Sequence, residues 1–335
     1  MPPVRPHPPA LWPAAVFAVV VTVLLTGTAL MVDAVPALRA AASGLLDAER
    51  PGDDDHYLAG DIGGQVDHHV LFFGLDPDAH ARLRAADVLF VGNSRLMFGL
   101  RPEVLRPAFA ALGQSYYALG FGFREADRFP LAIIRRFDLK PRVVVVNADG
   151  FFGGGLSAWA EVVNRDTVFA ARKLRWEADA AHEVRRAVHI VAPNWLALFG
   201  RPGLGHAREL NMYRSRLDGT WEVSPWTESS AAFTSPPLDG PPLSRGEIAA
   251  ARAFKAEMDA RGIRIVVTRV PTPAPHGGAG PARFAELLQA PLVVVDAPGL
   301  TSGDHSHLDP ASAHDWSRAF VAALAPHLAG PGVPR

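Results

Sequence analysis

Two short segments far apart in the chain hold side chains whose types and spacing could carry out acyl transfer. The first is Ala86-Asp87-Val88-Leu89-Phe90-Val91-Gly92-Asn93-Ser94-Arg95-Leu96, an apolar run of strand length that breaks at Gly-Asn-Ser before an expected helix. A serine at the carboxyl end of a buried strand sits where doubly wound sheets hold their ligands. Its own amide, at a helix N-terminus, points toward any oxyanion that forms beside it. The same residues also fit a plain helix cap, with Asn93 or Ser94 as the capping side chain. The second segment is Gly303-Asp304-His305-Ser306-His307-Leu308-Asp309. A spacing of three lets Asp304 and His307 project to one side of a turn, so that the carboxylate holds one imidazole nitrogen while the other faces a hydroxyl. In that arrangement His307 is general base and then general acid toward Ser94, and Asp304 fixes its tautomer and steadies the imidazolium. His305 is a rival for the base, and a loop of unrelated polar groups is the alternative to the pair.

The remaining candidates carry less chemistry. His68-His69 has no third ligand at useful spacing, so no catalytic metal is expected, and no cofactor either. Gly153-Gly154-Gly155 lacks the lysine and strand context of a phosphate loop and reads as a hinge. Arg95, next to the serine, fits either a surface or cap residue or a contact to an anionic substrate.

The elements that would have to position Ser94, Asp304 and His307 are legible as apolar runs alternating with helical stretches, the pattern of a parallel sheet covered on both faces. The strands are expected at Val88 to Val91, Tyr116 to Leu119, Val143 to Val146, Ile263 to Val267 and Leu292 to Val295. Helices are expected at Glu103 to Leu112, Glu125 to Phe137, Arg245 to Arg261, Pro281 to Gln289 and Pro310 to Leu328. The more than ninety residues from Gly150 to Ser244 are too many for a crossover and form an insertion. It holds a charged helical stretch, roughly Asp166 to Val191, and Trp195, Trp221 and Trp226, which either line a carbohydrate-facing wall or pin the insertion to the core.

Upstream, Leu11 to Val32 are 22 residues without a charge, about 33 Å as a helix, enough to span a bilayer. Arg5 and His7 before it and Asp33 after it favour a cytoplasmic N-terminus. A cleaved signal peptide ending near Ala40-Ala41-Ala42 is the rival. The expected organisation is therefore a tail and anchor at 1–35, a stalk at 36–85, and a domain at 86–330 with its insertion at 150–244. With 33 basic against 34 acidic residues, no long-range field draws the chain to nucleic acid. The absence of cysteine excludes disulfides and thiolate nucleophiles.

Taken in order, strand, Gly-x-Ser turn, crossovers and then Asp-x-x-His-Leu before a last helix, the region from Ala86 to Leu328 resembles the SGNH (GDSL-like) hydrolase superfamily. The resemblance implies a three-layer α/β/α sandwich on a five-stranded parallel sheet, flavodoxin-like in build, preceded here by the transmembrane helix. Gly92-Asn93-Ser94 departs from that family's Gly-Asp-Ser but keeps the nucleophile. The family's oxyanion hole adds a glycine after the second strand and an asparagine after the third. Here Gly122 or Gly120, with Gly122 preferred, and Asn147 answer to them, although Asn147-Ala148-Asp149-Gly150 matches the Gly-x-Asn-Asp pattern loosely. Asp149 is left as a second polar group or a helix cap. The resemblance further implies an anchored, periplasmic serine esterase or O-acyltransferase. Its partners would be an acylated polysaccharide or other ester and a membrane-bound acyl-donor protein. An inherited fold that binds polysaccharide without catalysis is the alternative.

Overall fold

The computed structural model describes residues 55–61, 64–122, 125–182, 211–224, 231–232, 240–271, 280–295, 298–302 and 304–329. The chain divides into two compact units, Met1–Gly52 with Ala180–Ala207 and Asp53–Asp179 with Arg208–Arg335, and the described residues fall almost wholly in the second. The segment Leu11 to Val32 lies outside them, as do Trp195 and Trp226. Among the described residues no helix is long and apolar enough to cross a membrane.

In chain order the domain begins with β1 (His56–Asp61), β2 (Gly64–Gln65), α1 (Asp67–Phe73) and α2 (Pro77–Ala85). The first crossovers follow as β3 (Val88–Gly92), α3 (Ser94–Gly99), α4 (Pro102–Ala111), β4 (Tyr116–Gly120), α5 (Arg128–Arg136) and β5 (Val143–Asn147). Next come α6 (Ala158–Arg165), a helix α7 over 168–182, β6 (Asn211–Ser215), β7 (Trp221–Ser224) and β8 (Ala231–Ala232). The chain ends with α8 (Arg245–Ala260), β9 (Arg264–Thr268), α9 (Pro281–Leu288), β10 (Leu292–Val293), β11 (Thr301–Ser302) and α10 (Pro310–Leu328).

β3, β4, β5, β9 and β10 form one parallel sheet in the order β10-β9-β5-β3-β4. Numbered within the sheet this is 2-1-3-4-5, the flavodoxin-like doubly wound order. Side chains alternate across a strand, and the near-continuous valine, leucine and isoleucine runs serve both faces at once. Leu89, Val91, Val144, Val146, Ile265 and Val267 pack against α5, α8 and α9. Val88, Phe90, Val143, Val145 and Val266 pack on the other face against α3, α4 and α10. Helix starts are set locally. Ser244 and Glu247 close a capping box on α8, and Asp309 caps α10 with Pro310 at its first position.

At the carboxyl edge of the sheet Gly92 and Gly120 stand opposite each other. A Cβ on Gly92 would lie 2.8 Å from Asn147 Cβ and 3.0 Å from Leu96 Cδ2, which is closer than atoms can pack. Gly92→Ala is therefore expected to displace β5 or α3 and to cost about 1–3 kcal/mol, read as a lower Tm. A Tm equal to wild type would show that this close approach is relieved without cost.

The stretch expected as a stalk is corrected from residue 55 onward. β1 joins β2, β6 and β7 in an antiparallel sheet of order β2-β1-β6-β7, so it pairs with the insertion instead of leading up to the domain. Tyr57, Ala59, Val70, Leu71 and Leu83 are all buried, as are Asp67, His68 and His69. A segment rich in Asp and Gly looks like linker until its few apolar residues are seen to have somewhere to go. The insertion also does a structural job, because β4 is an edge strand with unpaired backbone groups that need covering. Ala118 N donates to Asp218 O at 2.7 Å. Arg214 of β6 donates to Ala118 O, Gly120 O and, at 3.1 Å, Gly219 O.

Candidate active site

The parallel strands deliver their carboxyl ends to one edge, and the chemistry-bearing residues follow directly from it. Ser94 is the first residue of α3, two positions past β3, with Asn93 as N-cap accepting from Arg95 N at 3.1 Å. Asp304 and His307 lie in the loop between β11 and α10. That loop is closed by the Ser302–Leu308 bridge and by Ser302 Oγ donating to His307 O at 2.9 Å. His305, inside it, takes φ +63°, an unusual left-handed turn for a residue with a Cβ.

The two distant segments meet. His307 Nε2 and Ser94 Oγ are 2.8 Å apart, and His307 Nδ1 and Asp304 Oδ2 are 2.7 Å apart. Asp304 Oδ1 also accepts from Ser306 N at 2.9 Å and His307 N at 2.8 Å, so the carboxylate is fixed to the loop that carries its histidine. Burial works against its charge, but the hydrogen bond and charge of His307 and the two amides outweigh it and hold the carboxyl at about 2. A depressed folded value means stabilisation that is complete above the ordinary carboxylate range, near 3.9, and is lost as pH falls through about 2. Asp304→Asn is expected to remove that part of the acid unfolding profile between about pH 4 and pH 2 while lowering stability near neutrality. Identical acid profiles for variant and wild type would contradict the pairing.

Phe98 supports the imidazole from behind. It is four residues after Ser94, on the same side of α3, and its ring centroid lies 4.4 Å from that of His307. Trp221 of β7 meets Phe98 edge-on at 6.0 Å and is itself buried, so this tryptophan pins the insertion to the site's supporting wall rather than offering a face to sugar.

The expected oxyanion groups divide. Gly122 follows β4, and Phe121 N donates to Gly92 O at 3.1 Å, which draws that turn alongside the start of α3. Asn147 is not turned toward the site. It is completely buried, its Nδ2 donates to Asn93 Oδ1 at 3.1 Å, and its Oδ1 accepts from Val270 N at 3.2 Å. An amide so enclosed cannot meet an incoming carbonyl, and instead it steadies the turn before the serine. Asp149 caps no helix either. Its carboxylate is paired with Arg95 Nη1, and its backbone carbonyl accepts from Asn93 Nδ2 at 2.8 Å. The Asp149 carboxylate is itself an acceptor and has no hydrogen to offer an oxyanion. Arg95 also donates from Nε to Ser306 O at 3.2 Å, so it ties the end of β5 to the loop that carries His307. Phe98, Asp149 as an Arg95 partner, and Arg269 just past β9 were not singled out by motif. The signal available for Asp149 and Arg269 was their place, since each follows closely on the carboxyl end of a sheet strand.

His68 and His69 serve the scaffold. His68 Nε2 pairs with Glu125 Oε2 at 3.1 Å and His69 Nε2 with Asp166 Oδ2 at 2.8 Å. Among the described residues no cluster of three or more ligating side chains occurs.

The strand order 2-1-3-4-5, with a serine after the first strand and Asp-x-x-His before the last helix, decides the architecture. The fold is a doubly wound, flavodoxin-like α/β sandwich. Among solved structures, similarity extends to a GDSL-like lipase from Bacteroides thetaiotaomicron, at TM-score 0.34 and 12% identity over 76% of this chain and 98% of that one. A second is a putative acylhydrolase from Bacteroides fragilis, at TM-score 0.32 and 12% identity over 72% of this chain and 88% of that one. Such superpositions are loose, and the fold rests on the chain's own strand order. No family model matches the chain. Curated proteins similar to it in sequence are 5'-nucleotidase SurE from Anaeromyxobacter dehalogenans strains 2CP-1 / ATCC BAA-258 and 2CP-C, at 28% and 29% identity over 161 residues. The matched part is 47% of this chain and spans 59% of the length of those relatives.

Proposed function

We propose that the chain is a serine esterase or O-acyltransferase that moves acyl groups, acetyl being the simplest, on an envelope or secreted polysaccharide. In this reading it acts outside the cytoplasm, held to the membrane by Leu11 to Val32. The observation that carries the chemistry is the continuous relay Asp304–His307–Ser94, with contacts of 2.7 and 2.8 Å.

Ser94 Oγ attacks the ester carbonyl carbon as His307 Nε2 takes its proton, and Asp304 stabilises the imidazolium. The negative oxygen of the tetrahedral adduct is met by the backbone amides of Ser94, at the start of α3, and of Gly122. Collapse breaks the ester C–O bond, the leaving sugar oxygen takes the proton from His307, and the acyl group stays on Ser94. Water, or the hydroxyl of an acceptor sugar, then attacks the acyl-serine while giving its proton to His307. Loss of Ser94 as leaving group returns that proton to Oγ.

A fluorophosphonate probe tests the relay, because it reports an activated serine without requiring the natural substrate. Full-length protein is expected to be labelled at Ser94, and His307→Ala is expected to lose the label. Failure of the folded wild type to react, even at high probe concentration, would favour a polysaccharide-binding module instead.

A further inference from the structure

A buried guanidinium whose Nε is unpaired among the described residues stands at the sheet edge that carries the relay. Arg269 follows the last residue of β9, and the chain around it is pinned on both sides. Thr268 O accepts from Ala148 N at 2.8 Å, and Val270 N donates to Asn147 Oδ1 at 3.2 Å. Arg269 therefore emerges next to Asp149 at the same sheet edge as Ser94. It is only 7% exposed, and its Nε has no hydrogen-bond partner among the described residues. The nearby carboxylate does not satisfy it, because Asp149 is committed to Arg95, which in turn reaches the loop that carries His307 through Ser306 O. Desolvation lowers the pKa of Arg269, Asp149 opposes this, and the positive charge of Arg95 adds to the lowering.

A buried guanidinium with an unpaired Nε is costly to keep. The planar guanidinium fork suits a carboxylate better than any neutral group.

We propose that Arg269, flanked by Arg95, forms an anion subsite beside Ser94 that takes a carboxylate carried by the substrate. The inference deepens the acyl-transfer reading above by naming the substrate as a carboxylate-bearing molecule, such as an acidic sugar. Its site and its test are separable from turnover.

Binding to the full-length protein is the test, measured calorimetrically with methyl glucuronoside against the neutral methyl glucoside. Monomethyl succinate against methyl butyrate forms a second pair, which places the charge on the acyl side. Wild type is expected to favour one charged member over its neutral partner by roughly 10- to 100-fold, and which pair shows the preference tells whether the carboxylate belongs to the alcohol or the acyl part. That preference is expected to shrink with added salt, to collapse in Arg269→Gln, and to survive in part in Arg269→Lys, which keeps charge but loses the fork. Equal binding of charged and neutral members by wild type overturns the proposal, as does a preference that Arg269→Gln retains. Because binding is read directly, absence of fluorophosphonate labelling would sink the catalytic reading while leaving this result to stand or fall by itself.

Discussion

Alanine in place of Ser94 is expected to lower kcat for an acetyl ester by roughly 10⁴- to 10⁶-fold, and His307→Ala is expected to do nearly the same. The reason is the shared proton. Ser94 Oγ is a weak nucleophile until His307 Nε2, 2.8 Å away, removes its hydrogen, so either half alone is worth little. The double variant should therefore be no worse than either single one. Asp304→Asn removes the charge that holds the tautomer, and a loss of roughly 10⁴-fold in kcat is expected. The measurement is steady-state hydrolysis of a chromogenic acetyl ester by full-length protein, with each variant checked for a wild-type thermal transition. Should Ser94→Ala turn over within tenfold of wild type, or should the two single losses multiply in the double variant, the relay is not the engine. KM is expected to change little, because the triad acts on the transition state and not on binding.

Most of the framework was legible because it is written in local signals. Val88 to Val91 and Val143 to Val146 are continuous apolar runs of strand length, and only a strand covered on both faces needs such residues at every position. Pro281, Pro310 and Ser244 mark helix starts by their own chemistry. The meeting of Ser94 and His307, 213 residues apart, followed from the rule that parallel strands present their carboxyl ends together. What stayed hidden depended on partners that local sequence cannot name. Asn147 carries the right amide, yet burial against Asn93 and Val270 takes it out of the site. Asp149 reads as a cap until Arg95 is found against it. Residues 55 to 85 look like linker because the strand that pairs with β1 arrives some 150 residues later, inside the insertion. Composition reports propensity, and here the deciding contacts were long-range.

Arg214 to alanine is expected to destabilise the domain by about 3–5 kcal/mol. Arg214 is fully buried and paired with Asp67, which is 1% exposed, through Nε at 3.0 Å and Nη2 at 2.7 Å. Asp67 in turn accepts from Tyr57 Oη at 2.7 Å. Burial opposes the guanidinium charge, yet Asp67, with Tyr57 and Tyr117, raises its pKa overall. Removing it strands a carboxylate in the interior and also frees the carbonyls of Ala118 and Gly120 on the edge strand. For a domain of this size the change should appear as a Tm lower by roughly 6–20 °C. In some proteins a buried ion pair can be replaced by apolar residues at no loss. Here Arg214→Met with Asp67→Leu is expected to remain destabilised, because methionine cannot donate to the three carbonyls that Arg214 serves. The consequence is expected to reach turnover as well, since Gly120 O sits two residues before Gly122, whose amide is the one proposed to meet the oxyanion. Thermal denaturation of the double variant beside kcat for the acetyl ester separates the effects. A double variant as stable as wild type would mean that neither the ion pair nor the hydrogen bonds to the three carbonyls add net stability over apolar packing.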